Sequence, residues 1–269
     1  MGLNTELCQF LGIEHPIMLA GMGGVSYSEM CAAMCNAGGY GVLGMAGTSP
    51  DFIAAQMADV KARTDKPFGV DLLAADPASL EKSVDVIIEG GGHTGLVGTL
   101  PLVAQAVEAV NIPVIAAGGI YDGRGLAAAL SLGAVGVWMG TRFIASEEAH
   151  AAQSYKDTII GASDIDTTRT RCYSGKPMRC RTNDYIKDWE TRPGDIQTFP
   201  MQAMHSIQTD VIGGIGGVVD EARLDANKSC FAMGQSAGGV TEVLPVADIV
   251  DNIMREAEAA IEGVARLRV

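Results

Sequence analysis

Six short runs of apolar residues, each closed by glycine or a turn, begin near residues 16, 39, 67, 84, 112 and 134. They are 16–20 (PIMLA), 39–45 (GYGVLGM), 67–73 (PFGVDLL), 84–89 (VDVIIE), 112–117 (IPVIAA) and 134–139 (AVGVWM). The runs are continuous rather than alternating, which marks strands buried on both faces of a parallel sheet. Helical stretches separate them. Ser26 or Ser28 is placed to cap a helix through Asn36, and Thr48-Ser49-Pro50 opens another to about Arg63, a cap followed by proline. Glycine makes up 34 of 269 residues, roughly twice the usual share, while 48% of residues are hydrophobic, so a sizeable core with many tight βα turns is expected.

One step between the runs is short. Only ten residues (AADPASLEKS) separate Leu73 from Val84, whereas a parallel crossover usually needs about a dozen or more. The expected architecture is α/β with a parallel sheet, and the length also fits one βα barrel of the TIM type; either the short crossover is minimal or the barrel is shortened to six strand signals, with a C-terminal lid and helical segment. After Phe143 the pattern changes. A helix is expected over 147–160, followed by loops and a turn through the arginine-rich stretch TTRTRCYSGKPMRCRTNDY. Short helices are expected over 198–209 and 218–227, and an amphipathic helix over 245–266 with Ile249, Ile253, Ala257 and Ile261 on one stripe. The chain divides on this reading into a barrel core (1–145), a lid or substrate segment (146–227) and a C-terminal motif with a closing helix (228–269).

Charge and cysteine content exclude several classes. Nineteen basic residues against 32 acidic ones give a net charge of −13, which speaks against nucleic acid. The uncharged stretch 30–50 is broken by Asn36, Gly38, Gly39, Gly41 and Thr48-Ser49-Pro50, so no membrane span is expected, and the N-terminus has neither the basic start nor the apolar run of a secretory signal. Cys8, Cys31, Cys35, Cys172, Cys180 and Cys230 form no CxxC pair and no zinc-type spacing, so reduced structural thiols, a cytoplasmic location and no metal site are expected. A homo-oligomer is compatible with the sequence.

The residues able to carry chemistry lie where the runs end. AGGIYDG (117–123) and MGTRF (139–143) each follow a strand and are separated by one helix. Gly118, Gly119, Gly140 and Thr141 thereby leave backbone N–H groups uncovered in two tandem loops, an anion cradle of the kind that holds phosphate after the last strands of a barrel. Glycines in such places also simply make tight turns, but here the arrangement occurs twice. EGGGHTG (89–95) puts His93 after Gly92 at the end of the fourth run, uncrowded and able to act as a general base. His15 and His150 read as structural, and His205 lies in the lid. Gly21-Met22-Gly23-Gly24 allows a flat ligand near the first strand's end, and in GQSAGG (234–239) Ser236 can donate to phosphate.

Together PIMLAGM, NAGGYGVLG, GGHTG, AAGGIYDGRGLAAALSLGAVGVWMGTRF and FAMGQSAGG resemble the nitronate monooxygenase family, formerly the 2-nitropropane dioxygenases, and the related FMN-dependent enoyl-ACP reductases share the pattern. The resemblance covers most of the chain and implies an FMN-binding TIM barrel that oxidises alkyl nitronates with oxygen to a carbonyl compound and nitrite. It implies His93 as catalytic base, Gly118, Gly119, Gly140 and Thr141 at the FMN phosphate, and Ala20, Gly21, Met22 and Gly23 along the isoalloxazine ring. Asp71 then stands where the family has a polar strand residue near the flavin, Gly92 precedes the base, and Gln235 and Ser236 fall in the C-terminal FMN-contact motif. Members usually carry two more strands between the segments matching PFGVDLL and VDVIIE, and a longer loop before the histidine. The alternatives to nitronate oxidation are an enoyl-thioester reductase using NAD(P)H and a flavin-binding protein without turnover.

Overall fold

The computed structural model describes residues 2–46, 48–72 and 97–267. The fourth expected strand (84–89), Gly92 and His93 lie outside these residues. The other five runs all form strands: β1 (Ile17–Leu19), β2 (Gly41–Gly44), β3 (Phe68–Asp71), β4 (Ile115–Ala117) and β5 (Gly136–Met139). β1 pairs with β5 in parallel, Ile17 opposite Val137 and Leu19 opposite Met139, and β5 pairs in parallel with β4. β2 pairs with β3 from Gly41–Phe68 to Gly44–Asp71. A parallel bridge between Met18 and Tyr40 joins the two sets, with Leu19 N donating to Tyr40 O at 2.9 Å. The spatial order is β4-β5-β1-β2-β3. The last strand of the series lies beside the first, so the strands run one way and all end at one edge.

Apolar β1 and β2 are buried along their whole length. Helices cover the sheet from outside. α1 (Glu6–Leu11) precedes β1 and α2 (Ser28–Asn36) follows it. α3 (Pro50–Arg63) starts as expected, with Ser49 Oγ accepting from Phe52 N at 3.3 Å and proline in the first turn. α4 (Thr99–Ala109) and α5 (Gly123–Ser131) flank β4, and Asp122 caps α5 by accepting from Gly125 N at 3.0 Å. α6 (Thr141–Ile144) and α7 (Gln153–Ile160) follow β5. The chain closes with α10 (Val246–Ala265), which buries Val246, Ile249, Val250, Ile253, Met254 and Ala257 against α5 and α2. Its apolar stripe ends at Ala257, and Ile261 is exposed.

The chain departs from expectation in four places, three of them in its second half. The arginine-rich stretch is a two-stranded antiparallel unit, β6 (Thr167–Thr170) with β7 (Met178–Arg181), extended by a bridge from Cys180 to Ala232. Met178 and Cys180 point inward into a separate small core with Cys172, Tyr173, Ile186, Trp189 and Cys230, while Arg179 and Arg181 fill the alternate positions. Arg181 pairs with Asp166 at 2.9 Å, and Arg179 Nη1 donates to Thr167 O at 3.1 Å. The helix expected over 147–160 begins only at Gln153, because Glu147 N and His150 N donate to Leu244 O and Val25 O instead. The helix expected over 218–227 shrinks to a 3-10 turn, Glu221–Arg223, since Asp220 and Asp225 accept from backbone N–H groups two residues on. Neither Ser26 nor Ser28 caps α2, whose N-cap Tyr27 makes no side-chain bond. Two further helices are α8 (Asp184–Glu190) and α9 (Met201–Gln208). Among the described residues no helix is long and apolar enough to cross a membrane, and all six cysteines are free and buried.

Candidate active site

Parallel strands deliver their C-terminal ends to one edge: Ala20–Gly24 follow β1, Asp71 is the last residue of β3, Gly118–Gly119 follow β4, and Gly140 with Thr141, the first residue of α6, follow β5. The first loop is held against both neighbours. Ala20 N donates to Met139 O at 3.0 Å, and Met22 N donates to Ser26 Oγ at 2.8 Å. Ser26 is fully buried, its hydroxyl donates back to Met22 O at 3.3 Å, and its carbonyl accepts from Gly44 N at 2.9 Å. Ser26 is thus the clasp of this loop, a role that its place before a helix hides behind that of a cap.

Glycine is required here by close approach. A Cβ on Gly21 would stand 2.3 Å from the Asp71 Cβ, and one on Gly44 would stand 2.3 Å from Met22 backbone. Gly21 and Asp71, far apart in sequence, are therefore in contact. Burial pushes the Asp71 carboxyl above its ordinary range. Met22 Sδ and the Ala20 Cβ lie at 3.4 and 3.6 Å from where a Cβ on Gly140 would be, so the first and last loops share one wall.

The second cluster forms at the ends of β4 and β5. Gly118 and Gly119 both take the left-handed backbone, φ +96° and +72°. Thr141 Oγ1 accepts from Gly234 N at 2.9 Å, tying the loop after β5 to the 3-10 turn Gln235–Gly239. Gly119, Gln235 and Ser236 line one open concavity of about 420 Å³ with Tyr121, Asp164, Gly238 and Gly239. An anion suits this place. Ser236 is 5% exposed, and its hydroxyl has no hydrogen-bond partner among the described residues. Space within 4 Å of where a Cβ on Gly119 would stand is empty, so a ligand can reach the backbone there.

The remaining expected residues sort by position. Ala20, Gly21, Met22, Gly23 and Asp71 gather at the ends of β1 and β3, while Gly118, Gly119, Gly140, Thr141, Gln235 and Ser236 gather at the ends of β4 and β5. His150 packs against Tyr27 at 4.8 Å with the rings tilted, and His205 meets the Trp189 ring edge-on at 6.0 Å, both in packing roles.

The family model for nitronate monooxygenase matches residues 4–88 and 83–256. The chain belongs to the nitronate monooxygenase family. The two matched stretches meet at 83–88, beside the step where the strand spacing runs short. Membership makes the chain an oxidoreductase acting on small molecules, in a family of flavoenzymes. A probable nitronate monooxygenase of Staphylococcus saprophyticus is 28% identical over 302 residues, 75% of this chain and 85% of its own length. That span exceeds the whole of this chain, so the Staphylococcus protein carries residues within the aligned stretch that are absent here. A hydroxy-methyl-oxo-octahydroindene-carboxyl-CoA dehydrogenase of Mycobacterium tuberculosis is 35% identical over 248 residues, 71% of this chain and 70% of its own. Among solved structures, FabK from Thermotoga maritima superposes with a TM-score of 0.84 at 31% identity, covering 98% of this chain and 99% of its own. A nitroalkane oxidase from Streptomyces ansochromogenes shares the fold, with a TM-score of 0.79 at 22% identity over 96% of this chain and 99% of its own.

Proposed function

We propose that this member of the nitronate monooxygenase family binds FMN on a shortened TIM-type barrel and oxidises alkyl nitronates. The observation that carries the reading is the open concavity at the ends of β4 and β5, where the unpartnered Ser236 hydroxyl, the Thr141–Gly234 link and the open Gly119 backbone converge. Gly118, Gly119, Gly140, Thr141, Gln235 and Ser236 hold the FMN phosphate. Ala20–Gly23 pass along the ring, their backbone exposed by glycine and steadied by Ser26. Asp71 lies against Gly21 beside that path.

FMN held there would supply the redox chemistry between an electron-rich nitronate and oxygen, with oxygen also furnishing the carbonyl oxygen as nitrite leaves. The chain's own contribution is position and proton handling. His93, which follows Gly92, removes the proton α to the nitro group or steadies the bound anion. Residues 1–145 act as the cofactor-binding core, 146–227 as the lid or substrate segment, and 228–269 as the C-terminal contact motif with its closing helix. Buried free cysteines are in keeping with a cytoplasmic setting.

The test separates the base from the cofactor. Replacing His93 with Ala is expected to leave flavin bound and to cut turnover of a neutral nitroalkane by about 10²–10⁴-fold. Unchanged turnover contradicts the base assignment. A second reading, reduction of an enoyl thioester with NAD(P)H, is favoured by the relatives named as CoA dehydrogenases, which at 33% and 35% identity exceed the 28% of the probable nitronate monooxygenases. Rapid flavin reduction by NADH without oxygen, followed by reoxidation with an enoyl-CoA, selects it.

A further inference from the structure

All six cysteines are free, and two of them face each other across the small core of the second half. Cys180 Sγ and Cys230 Sγ stand 3.4 Å apart, although 50 positions separate them in the chain. The backbone fixes this approach. Cys180, on β7, is bridged antiparallel to Ala232, with Arg181 N donating to Phe231 O at 2.9 Å and Met233 N donating to Arg179 O at 3.2 Å. Cys230, two residues before Ala232, therefore projects from the same side of this ladder as Cys180, diagonally across it. Both are fully buried. Cys31 and Cys35, by contrast, lie one turn apart on α2, where a bond would tie the helix only to itself.

Cys230 is also a junction. Its N–H donates to Val211 O at 2.9 Å, and its carbonyl accepts from Gly214 N at 3.1 Å. Beyond Gly214 the chain packs on the first loop, where a Cβ on Gly24 would stand 2.4 Å from Gly217 N. In the other direction it runs into Gly234, which Thr141 holds. A bond from Cys180 to Cys230 thus fastens the β6–β7 hairpin to both segments that reach the barrel.

From this we infer that Cys180 and Cys230 are a redox-convertible pair, a dithiol in reducing surroundings and, after exposure to a peroxide, a disulfide that locks the β6–β7 unit to the strand beside it. One thiol reduces hydrogen peroxide to water and becomes a sulfenic acid. The second thiol displaces the sulfenic hydroxyl, forming the S–S bond and releasing a second water. Burial sets the pace. It pushes the Cys230 thiol well above its ordinary range, so thiolate is scarce and oxidation waits on brief opening of the small core.

The test uses the full chain and needs neither flavin nor turnover. Protein reduced and then freed of reductant is treated with hydrogen peroxide, its remaining thiols are blocked in denaturant, and its peptides are mapped by mass. Two of the six thiols are expected to be lost, with the peptide carrying Cys180 joined to the one carrying Cys230 until dithiothreitol releases it. Because the bond closes a long loop, the urea midpoint of the oxidised protein is expected to lie about 1 M or more above its value with dithiothreitol present. Cys180→Ala and Cys230→Ala are expected to lose this difference, and Cys172→Ala to keep it. Six thiols surviving the peroxide, a bond that maps to Cys172 or to Cys31 and Cys35, or a midpoint that dithiothreitol does not lower overturns the inference. Each of these is read on the wild type, so a variant that fails to fold does not protect it.

Discussion

Asp71 and Gly21 show how a strand-end site is built from contacts that forbid ordinary side chains. The Asp71 carboxyl gives up hydration for its place against Gly21, and burial raises its pKa from an ordinary 3.8. A carboxyl protonated to higher pH in the fold than in the unfolded chain takes stability away as pH rises from the ordinary value through the raised one, and the full stability is present only below both. Asp71→Asn is therefore expected to raise the melting temperature at neutral pH and to leave it near wild type in acid, where both side chains are neutral. A gain that is equal across the pH range contradicts the assignment. Ser26 is the other residue whose role is local and exact. Ser26→Ala leaves the Met22 N–H without its 2.8 Å acceptor, at a cost of about 1–3 kcal/mol, read as a lower denaturant midpoint with weaker flavin retention. Wild-type values for both contradict the clasp. The glycines of the site were legible in sequence because left-handed backbone and close approach admit little else, whereas a buried serine looks the same whether it caps a helix or holds a loop.

α5 and α10 meet with almost no space: a Cβ on Gly123 would stand 2.2 Å from Ile253 O and 2.3 Å from Ala257 N, and Gly123 N donates to Glu256 at 3.0 Å. Gly123→Ala has to part these helices, at about 1–3 kcal/mol or more, and is expected to lower the denaturant midpoint. An unchanged midpoint contradicts the packing. This contact lies directly after the Gly118–Gly119 turn, so flavin affinity is expected to fall along with stability. The helices with clear signals, Pro50–Arg63 with its Ser49 cap and Val246–Ala265 with its apolar stripe, were legible almost to the residue. The β6–β7 pair was not. Its period-two pattern is carried by Met178 and Cys180 on one face, while arginine on the other reads as loop until Asp166 and Thr167 are seen to receive it.

At the scale of the whole molecule, five parallel strands in the order β4-β5-β1-β2-β3 bring the last βα loops beside the first, and the C-terminal turn completes the cradle from almost a hundred residues further on. Five of the six apolar runs could be read as strands from their continuous pattern; the fourth run and the short step before it lie outside the described residues. The joining of Gly234 to Thr141 could not, because nothing local in either segment encodes a partner so distant. The same distance makes the cradle a property of the folded chain as a whole. Its function is tested most directly by measuring nitrite released by the purified, flavin-loaded protein supplied with an alkyl nitronate and oxygen. Nitrite formed in step with the carbonyl product, and lost when flavin is removed, is the expected result. A flavin-loaded protein that consumes the nitronate no faster than buffer and releases no nitrite contradicts the account.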